Sequence, residues 1–410
     1  AGLFQDFDAF GMFSGQGGVG GLFTPGTKPS TNLHPERTKE LEMGIDLGMF
    51  GDLSDLSFTW YRRLSSDVIL PVAIPGSSGY TLEGANGATI RNAGTEWAFN
   101  LRPITKKNFA WDIGVVFGTN RNRVFSVLGA DFVPFGGLGG AIQGGPTAVA
   151  QPGYALGVFR DYDYVRCGRG VLLDGGAYNV DANCTAAQNR DHALFLDDGT
   201  HVNANGVGSA GPGTPLLDPT QRVVGDPNPK WTGSIRTGVR WGHFSFSGLV
   251  DIRHGGVVWN GTRAALNGVG TSAETALRGK QVTFGKDYFP GPVAGPGAGQ
   301  QYTLDQNWFQ NYDSWSFSST IGTPFYEDGS FVKLREISVA YTVTSGFLTS
   351  GLGLSSVEFR VAGRNLVTWT NYTGVDPETN LAGSETAARG IDFFNNPQSR
   401  SFVFSVALNR

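Results

Sequence analysis

The sequence predicts an all-β protein, an antiparallel transmembrane β-barrel portion of about nine strands carrying long loops at one end. Three observations predict it. Segments of about ten residues alternate apolar and polar side chains with a period of two. The connections between them alternate short and long. Among 410 residues there are 61 Gly and 29 Phe, and only 16% are charged, a composition rich in turns and in apolar surface.

The strands follow in order. Residues 39–50 set Leu41, Met43, Ile45, Leu47 and Met49 against Glu40, Glu42, Gly44, Asp46 and Gly48. Leu56, Phe58 and Trp60 then oppose Ser57, Thr59 and Tyr61. Thr95, Trp97, Phe99 and Leu101 oppose Glu96, Ala98, Asn100 and Arg102, and Phe109, Trp111, Ile113, Val115 and Phe117 oppose Asp112 and Gly114. Trp231, Ile235, Val239 and Trp241 oppose Thr232, Ser234, Arg236 and Arg240. Phe244, Phe246, Val250 and Ile252 oppose Ser245, Ser247, Asp251 and Arg253. Ile337, Val339, Tyr341 and Val343 oppose Glu336, Ser338 and Thr342, and Val357, Phe359 and Val361 oppose Glu358, Arg360 and Arg364. The last strand sets Phe402, Phe404, Val406 and Leu408 against Ser405 and Asn409.

Alternation alone fits a soluble sandwich as well as a barrel whose apolar side chains face lipid. Loop lengths separate the two. Residues 51–54, 105–108 and 241–243 are short connections and 344–353 a modest one. Residues 70–89, 122–228, 256–329 and 371–398 are longer ones. Outer-membrane barrels have short periplasmic turns and long extracellular loops, which puts the C-terminus in the periplasm. Trp60, Trp97, Trp111, Trp231 and Trp241 lie toward strand ends, where an aromatic girdle belongs. Bacterial single-chain barrels use even strand numbers, so an odd count places further strands upstream.

Other classes find little support. Net charge is −4 and the pI near 5.8, without the basic bias of nucleic-acid binding. Mean hydropathy is −0.15, an average in which alternating strands disappear. No apolar run approaches the length of a membrane helix. Gly206, Gly208 and Gly211 spell GxGxxG in a polar loop, away from the strand–helix setting a nucleotide site needs. The five histidines (His34, His192, His201, His243 and His254) have no ligand spacing. Asp161 with Asp163, and Asp197 with Asp198, are ordinary solvated carboxylates or cation contacts. No catalytic residue, metal or cofactor is expected. Cys167 and Cys184 lack zinc spacing; an oxidising compartment would let them close a disulfide loop, and two free thiols are the alternative.

The long loops are rich in aromatic and amide side chains. Tyr162, Tyr164, Trp259, Trp308, Trp315, Trp369 and Tyr372 are the candidate substrate-binding residues, because a flat apolar face beside hydrogen-bond donors suits sugar rings or peptides. Packing of the loops against one another is the alternative for each.

Several motifs occur in a fixed order: residues 32–46 (NLHPERTKELEMGID), 225–231 (GDPNPKW), Gly255 with Gly256, 260–262 (NGT), 328–341 (DGSFVKLREISVAY), 363–380 (GRNLVTWTNYTGVDPETN) and 396–400 (NPQSR). Together they resemble the SusC/RagA-like TonB-linked outer-membrane proteins over most of residues 32–410. The resemblance implies a plugged barrel of about 22 strands of which residues 1–410 are the C-terminal part, with the plug and the TonB-contacting segment outside this sequence. It also implies a SusD-like surface lipoprotein partner and TonB-dependent import of oligosaccharides or peptides. A siderophore or vitamin receptor without a lid, and a passive porin or adhesin, are the competing functions. One departure is the terminus, Leu408-Asn409-Arg410, where many such barrels end in an aromatic residue.

Overall fold

The computed structural model describes residues 11–14, 20–23, 27–28, 30, 32–51, 53–137, 145–313, 322–381 and 389–410. Among them, nine long strands form one antiparallel sheet: β1 (Arg37–Met49), β2 (Ser54–Ala73), β3 (Leu82–Lys106), β4 (Phe109–Val127), β5 (Trp231–Trp241), β6 (Phe244–His254), β7 (Phe331–Val343), β8 (Ser356–Thr370) and β9 (Ser401–Asn409). Each pairs with the next in sequence order, a meander whose two edges are β1 and β9. The two-residue strand Thr27–Lys28 runs parallel beside β3.

The wall is built inside out. Leu41, Met43, Ile45 and Leu47 on β1 are 42–58% exposed, and Phe359, Phe402, Phe404 and Leu408 are more than half exposed. A water-soluble sheet would bury that face. The opposite face is laced with cross-strand ion pairs: Arg63–Glu40, Arg102–Asp55, Arg236–Asp112 and Arg364–Glu336. These are the polar residues of the sequence alternation, and they line the concave, lumenal side.

Aromatic rows bound the apolar band. Phe58 packs on Trp97 and Phe117 on Trp231, and register carries that row on through Ile252 and Val332 to Trp369. At the other end Trp241 pairs with Phe244, Phe244 with Tyr341, and Tyr341 with Phe359. Trp231 and Trp241 end the 11-residue strand β5. At about 3.3 Å per residue the rows lie about 33 Å apart along the strand. A tilt of about 45° reduces that to about 23 Å, close to the height of an outer-membrane apolar band.

The connections divide by end. Residues 50–53, 107–108, 242–243 and 344–355 join strands on one side, the last holding a helix, Gly346–Leu352. Gly242 takes a left-handed φ of 57° in its two-residue turn, which glycine tolerates without a Cβ clash. The connections β2–β3, β4–β5, β6–β7 and β8–β9 leave the sheet on the other side. Two expected boundaries move. β2 runs on to Ala73 and β3 starts at Leu82, so the loop expected over 70–89 is mostly strand; β4 continues to Val127. Beyond the bilayer both faces of a strand meet water or loops, so polar stretches such as Arg62–Arg63 and Asn92 pair without alternating.

Candidate functional site

The long loops fold into a body with cores of its own. The largest fully buried side chains, among them Trp259, Trp308, Phe159, Phe195, Phe284 and Phe325, all belong to loops. One core gathers Tyr164, Leu194, Leu196, Val282, Phe284, Tyr288, Leu304, Trp308 and Phe309 from the loops after β4 and β6. A second gathers Ala148, Phe159, Trp259, Ala264, Phe325 and Ile391 from three loops. The Cys167–Cys184 disulfide forms, its Cα atoms 6.2 Å apart, and it packs with Ala193 and Ala294.

Two polar nodes organise the loops, one pinning a loop to the wall and one tying two loops together, and both draw on residues of the sequence motifs. In the first, Lys333 is 3% exposed and its Nζ donates to Asp376 Oδ1 (2.7 Å) and Glu378 Oε2 (2.8 Å). Arg335 occupies a bulge, since Glu336 pairs with Leu249 and Leu334 with Val250. The extra residue turns its guanidinium into the lumen, where it meets Asp251, Glu378 and Gln398. Burial opposes ionisation of Glu378, but hydrogen bonds from Arg335 and Lys333 outweigh it and hold the carboxyl below its usual range.

The second node starts at the helix Gly261–Val269. Asn260 caps it, accepting from Arg263 N and donating to Glu327 and Thr373. Arg263 bridges Glu274 and Glu327. Thr262 Oγ1 donates to Asp392, whose other oxygen accepts from Tyr372 Oη (2.6 Å). Beside this node opens a cleft of about 600 Å³ edged by Leu266, Thr271, Val375 and Phe394. A smaller cleft of about 340 Å³ lies between Tyr164, His192 and Phe289.

Buried carboxylates join the loops elsewhere. Asp161 accepts from Tyr162 N and Tyr326 Oη, yet burial prevails and pushes its carboxyl up to about 7. Asp313 accepts from Tyr288 Oη, and burial likewise raises it, to about 6. Asp197, Asp198 and His201 cluster, but Gly199 N, Ser209 Oγ and His201 already occupy both oxygens of Asp197, and Thr200 N occupies Oδ1 of Asp198. That arrangement closes a turn.

The structure does not bring the seven candidate aromatics together as one open surface. Tyr164 and Trp308 are core residues, with Tyr164 Oη donating to Tyr312 O. Trp259 is buried and stacks on Phe393 at an interplanar angle of 8°. Tyr372 is buried against Asp392. For these four, ring faces meet protein, because loops of this length must bury their own apolar groups to fold. Trp369 is exposed on the outward, lipid-side face of β8. Tyr162 is half-buried, its carbonyl accepting from Thr323 Oγ1. Trp315 lies outside the described residues. Sequence reasoning placed Glu96 and Arg253 on the polar face of their strands but did not single them out; the signal was a charge at the loop end of a lumenal face.

An inside-out meander between two aromatic rows, with folded loops at one end, defines the wall of an antiparallel transmembrane β-barrel. No family model matches the chain. The chain is 25% identical to TonB-dependent receptor P3 of Formosa agariphila over 380 residues, 92% of this chain and 34% of that protein. TonB-dependent receptor SusC of Bacteroides thetaiotaomicron is 28% identical over 101 residues, 24% of this chain and 10% of that protein. Among solved structures, the RagAB peptide importer in its open-open state superposes with a TM-score of 0.63 at 17% identity, covering 100% of this chain and 38% of that one. The chain thus resembles TonB-dependent receptors in sequence along most of its length and shares the fold of the barrel wall of the SusC/RagA-like kind. It spans about a third of the length of the curated relatives that it matches along most of its length.

Proposed function

We propose that the whole protein is a TonB-dependent importer of nutrients, oligosaccharides or peptides, working with a SusD-like surface lipoprotein. In this reading residues 1–410 form the C-terminal part of its barrel, with the C-terminus in the periplasm and the loop body outside the cell. The plug and the segment that engages TonB belong to the remainder of the protein. The observation that carries the reading is the likeness to TonB-dependent receptors along 92% of the chain. Gathering of every long loop into one folded body at one end supports it, since such a body can form an outer cavity and a seat for a lid. Import by this route needs no bond-making residue, only a binding cavity and a plug displaced by force.

The test is made in cells that carry the intact gene. Uptake of labelled oligosaccharides or peptides is compared with and without TonB, and an affinity-tagged receptor is purified from its own membrane. TonB-dependent uptake with a co-purifying lipoprotein supports the proposal. Uptake that persists without TonB indicates a porin, and TonB-dependent uptake of a metal chelate alone indicates a siderophore receptor; either result overturns it.

A further inference from the structure

One transverse row of the lumenal wall carries two opposite charges that have no partner. Register runs Glu96 to Gly118, Gly118 to Thr232 and Thr232 to Arg253, across β3, β4, β5 and β6. These residues alternate with the outward-facing Trp97, Phe117, Trp231 and Ile252, so all four face the lumen. Among the described residues Glu96 is an exposed carboxylate in no ion pair, and Arg253 has no carboxylate within ion-pair distance. Arg253 donates from Nη2 to Pro227 O (2.8 Å), while its buried Nε–H meets no acceptor. A guanidinium offers five donors, so most of its capacity for an anion is unspent. Elsewhere on this wall several charges are matched, Arg335 with Asp251 and Glu378 and Arg236 with Asp112, although Glu42 and Arg240 also stand outside any ion pair among the described residues.

Gly118 and Thr232 lie between the two charges, and these small side chains leave a trough of about 490 Å³. Gly256 keeps the Arg253 end narrow. An ideal Cβ there would sit 2.8 Å from Pro227 O and 2.9 Å from Arg253 Nη2, so the backbone can close around the guanidinium only at a glycine. Arg389 lines the adjoining recess with Glu96, Tyr61 and Asn120, a cation in no ion pair among the described residues, on the Glu96 side of the trough. Three inter-strand spacings put the Glu96 and Arg253 backbones roughly 14 Å apart. An extended peptide covers about 3.3–3.6 Å per residue, so three or four residues fit between the charges.

We propose that this trough binds a short zwitterionic peptide, its α-carboxylate at Arg253 and its α-ammonium at Glu96. The proposal rests on the import reading for its purpose and narrows that reading to peptides. A neutral oligosaccharide would leave both charges unpaired, and an acidic one would use only Arg253.

The test measures binding, apart from transport, on the intact receptor in mild detergent. Calorimetric titration compares tetra-alanine with its N-acetylated form, its C-amidated form, maltotetraose and tetragalacturonate. Tetra-alanine should bind, and masking either end should weaken it about tenfold, as a charge-assisted hydrogen bond is lost. Glu96→Gln should weaken tetra-alanine about tenfold and leave the N-acetylated peptide unchanged. Arg253→Gln should do the same with respect to the C-amidated peptide. Equal binding of masked and free peptides overturns the proposal, as does tetragalacturonate binding that responds to Arg253→Gln but not to Glu96→Gln. Glu96 is exposed and unpaired, so its variant folds whatever the fate of Arg253→Gln. Peptide binding without TonB-dependent uptake would sink the import reading alone, and uptake without peptide binding would sink this site alone.

Discussion

Replacing Lys333 with Met should release the loop after β8 while leaving the wall intact. Lys333 and Asp376 are 3% and 8% exposed and 2.7 Å apart, so the substitution strands a nearly buried carboxylate. Removing one member of a buried pair costs about 3–5 kcal/mol. Glu378 keeps Arg335, so the loss falls mainly on Asp376. At about 1.4 kcal/mol per decade, local opening should become two to four powers of ten more frequent. Hydrogen exchange on the intact protein in detergent reads this directly. The amides of Glu378 and Gln398, which donate to the Asp376 carboxylate, and of Thr379, which donates to the Asp376 carbonyl, should lose protection. Amides in the β7–β8 ladder should not. Adding Asp376→Asn to the Met variant removes the stranded charge and should restore most of the protection. Unchanged exchange in the single variant, or equal loss along β7 and β8, would refute the reasoning.

Three further outcomes follow from other parts of the fold. Asp161 holds its proton up to about pH 7 in the folded loops but only to about 3.8 when unfolded, so loop stability should fall as pH rises between those values; Asp161→Asn should flatten that slope when protease resistance of the loops is followed from pH 4 to pH 8. Glu378 is shifted the other way, so the tether to Lys333 and Arg335 should loosen only on acidification below about 4.5, seen as exchange at Thr379 and Leu381. Ile235→Arg puts a charge on the lipid face in mid-band and should cost about 2–4 kcal/mol of folding into bilayers, whereas Ser234→Arg, facing the lumen, should cost little; refolding yield in lipid vesicles separates them.

The wall was legible because the bilayer writes a simple code. Between the aromatic rows each strand has lipid on one side and a wet lumen on the other, so Phe244–His254 alternates and can be read residue by residue. The code ends where lipid ends. Arg62, Arg63, Ser65 and Ser66 continue β2 with no alternation to announce it. The loops obey a different rule, since water surrounds them and they must hide their own apolar groups. Tyr164, Trp259, Trp308 and Tyr372 looked available for ligand because loop residues are usually exposed, yet long-range contacts bury them, as between Tyr164 and Trp308. Partnering of charges is equally invisible in sequence: Lys333 and Arg253 are both cations on the polar face of a strand, and only register shows that one is paired and the other is not.

The cores in the loops have a consequence for how the molecule comes apart. The wall is held by lipid against its outer face, the loop body by water driving its aromatics inward. Denaturant, heat and detergent act on these two solvents unequally, so a melting curve should resolve into separate events with no single midpoint. A substitution such as Trp259→Ala, in a loop core, would register only in the event that unfolds the loops, and an assay that reads the barrel alone would score it as silent.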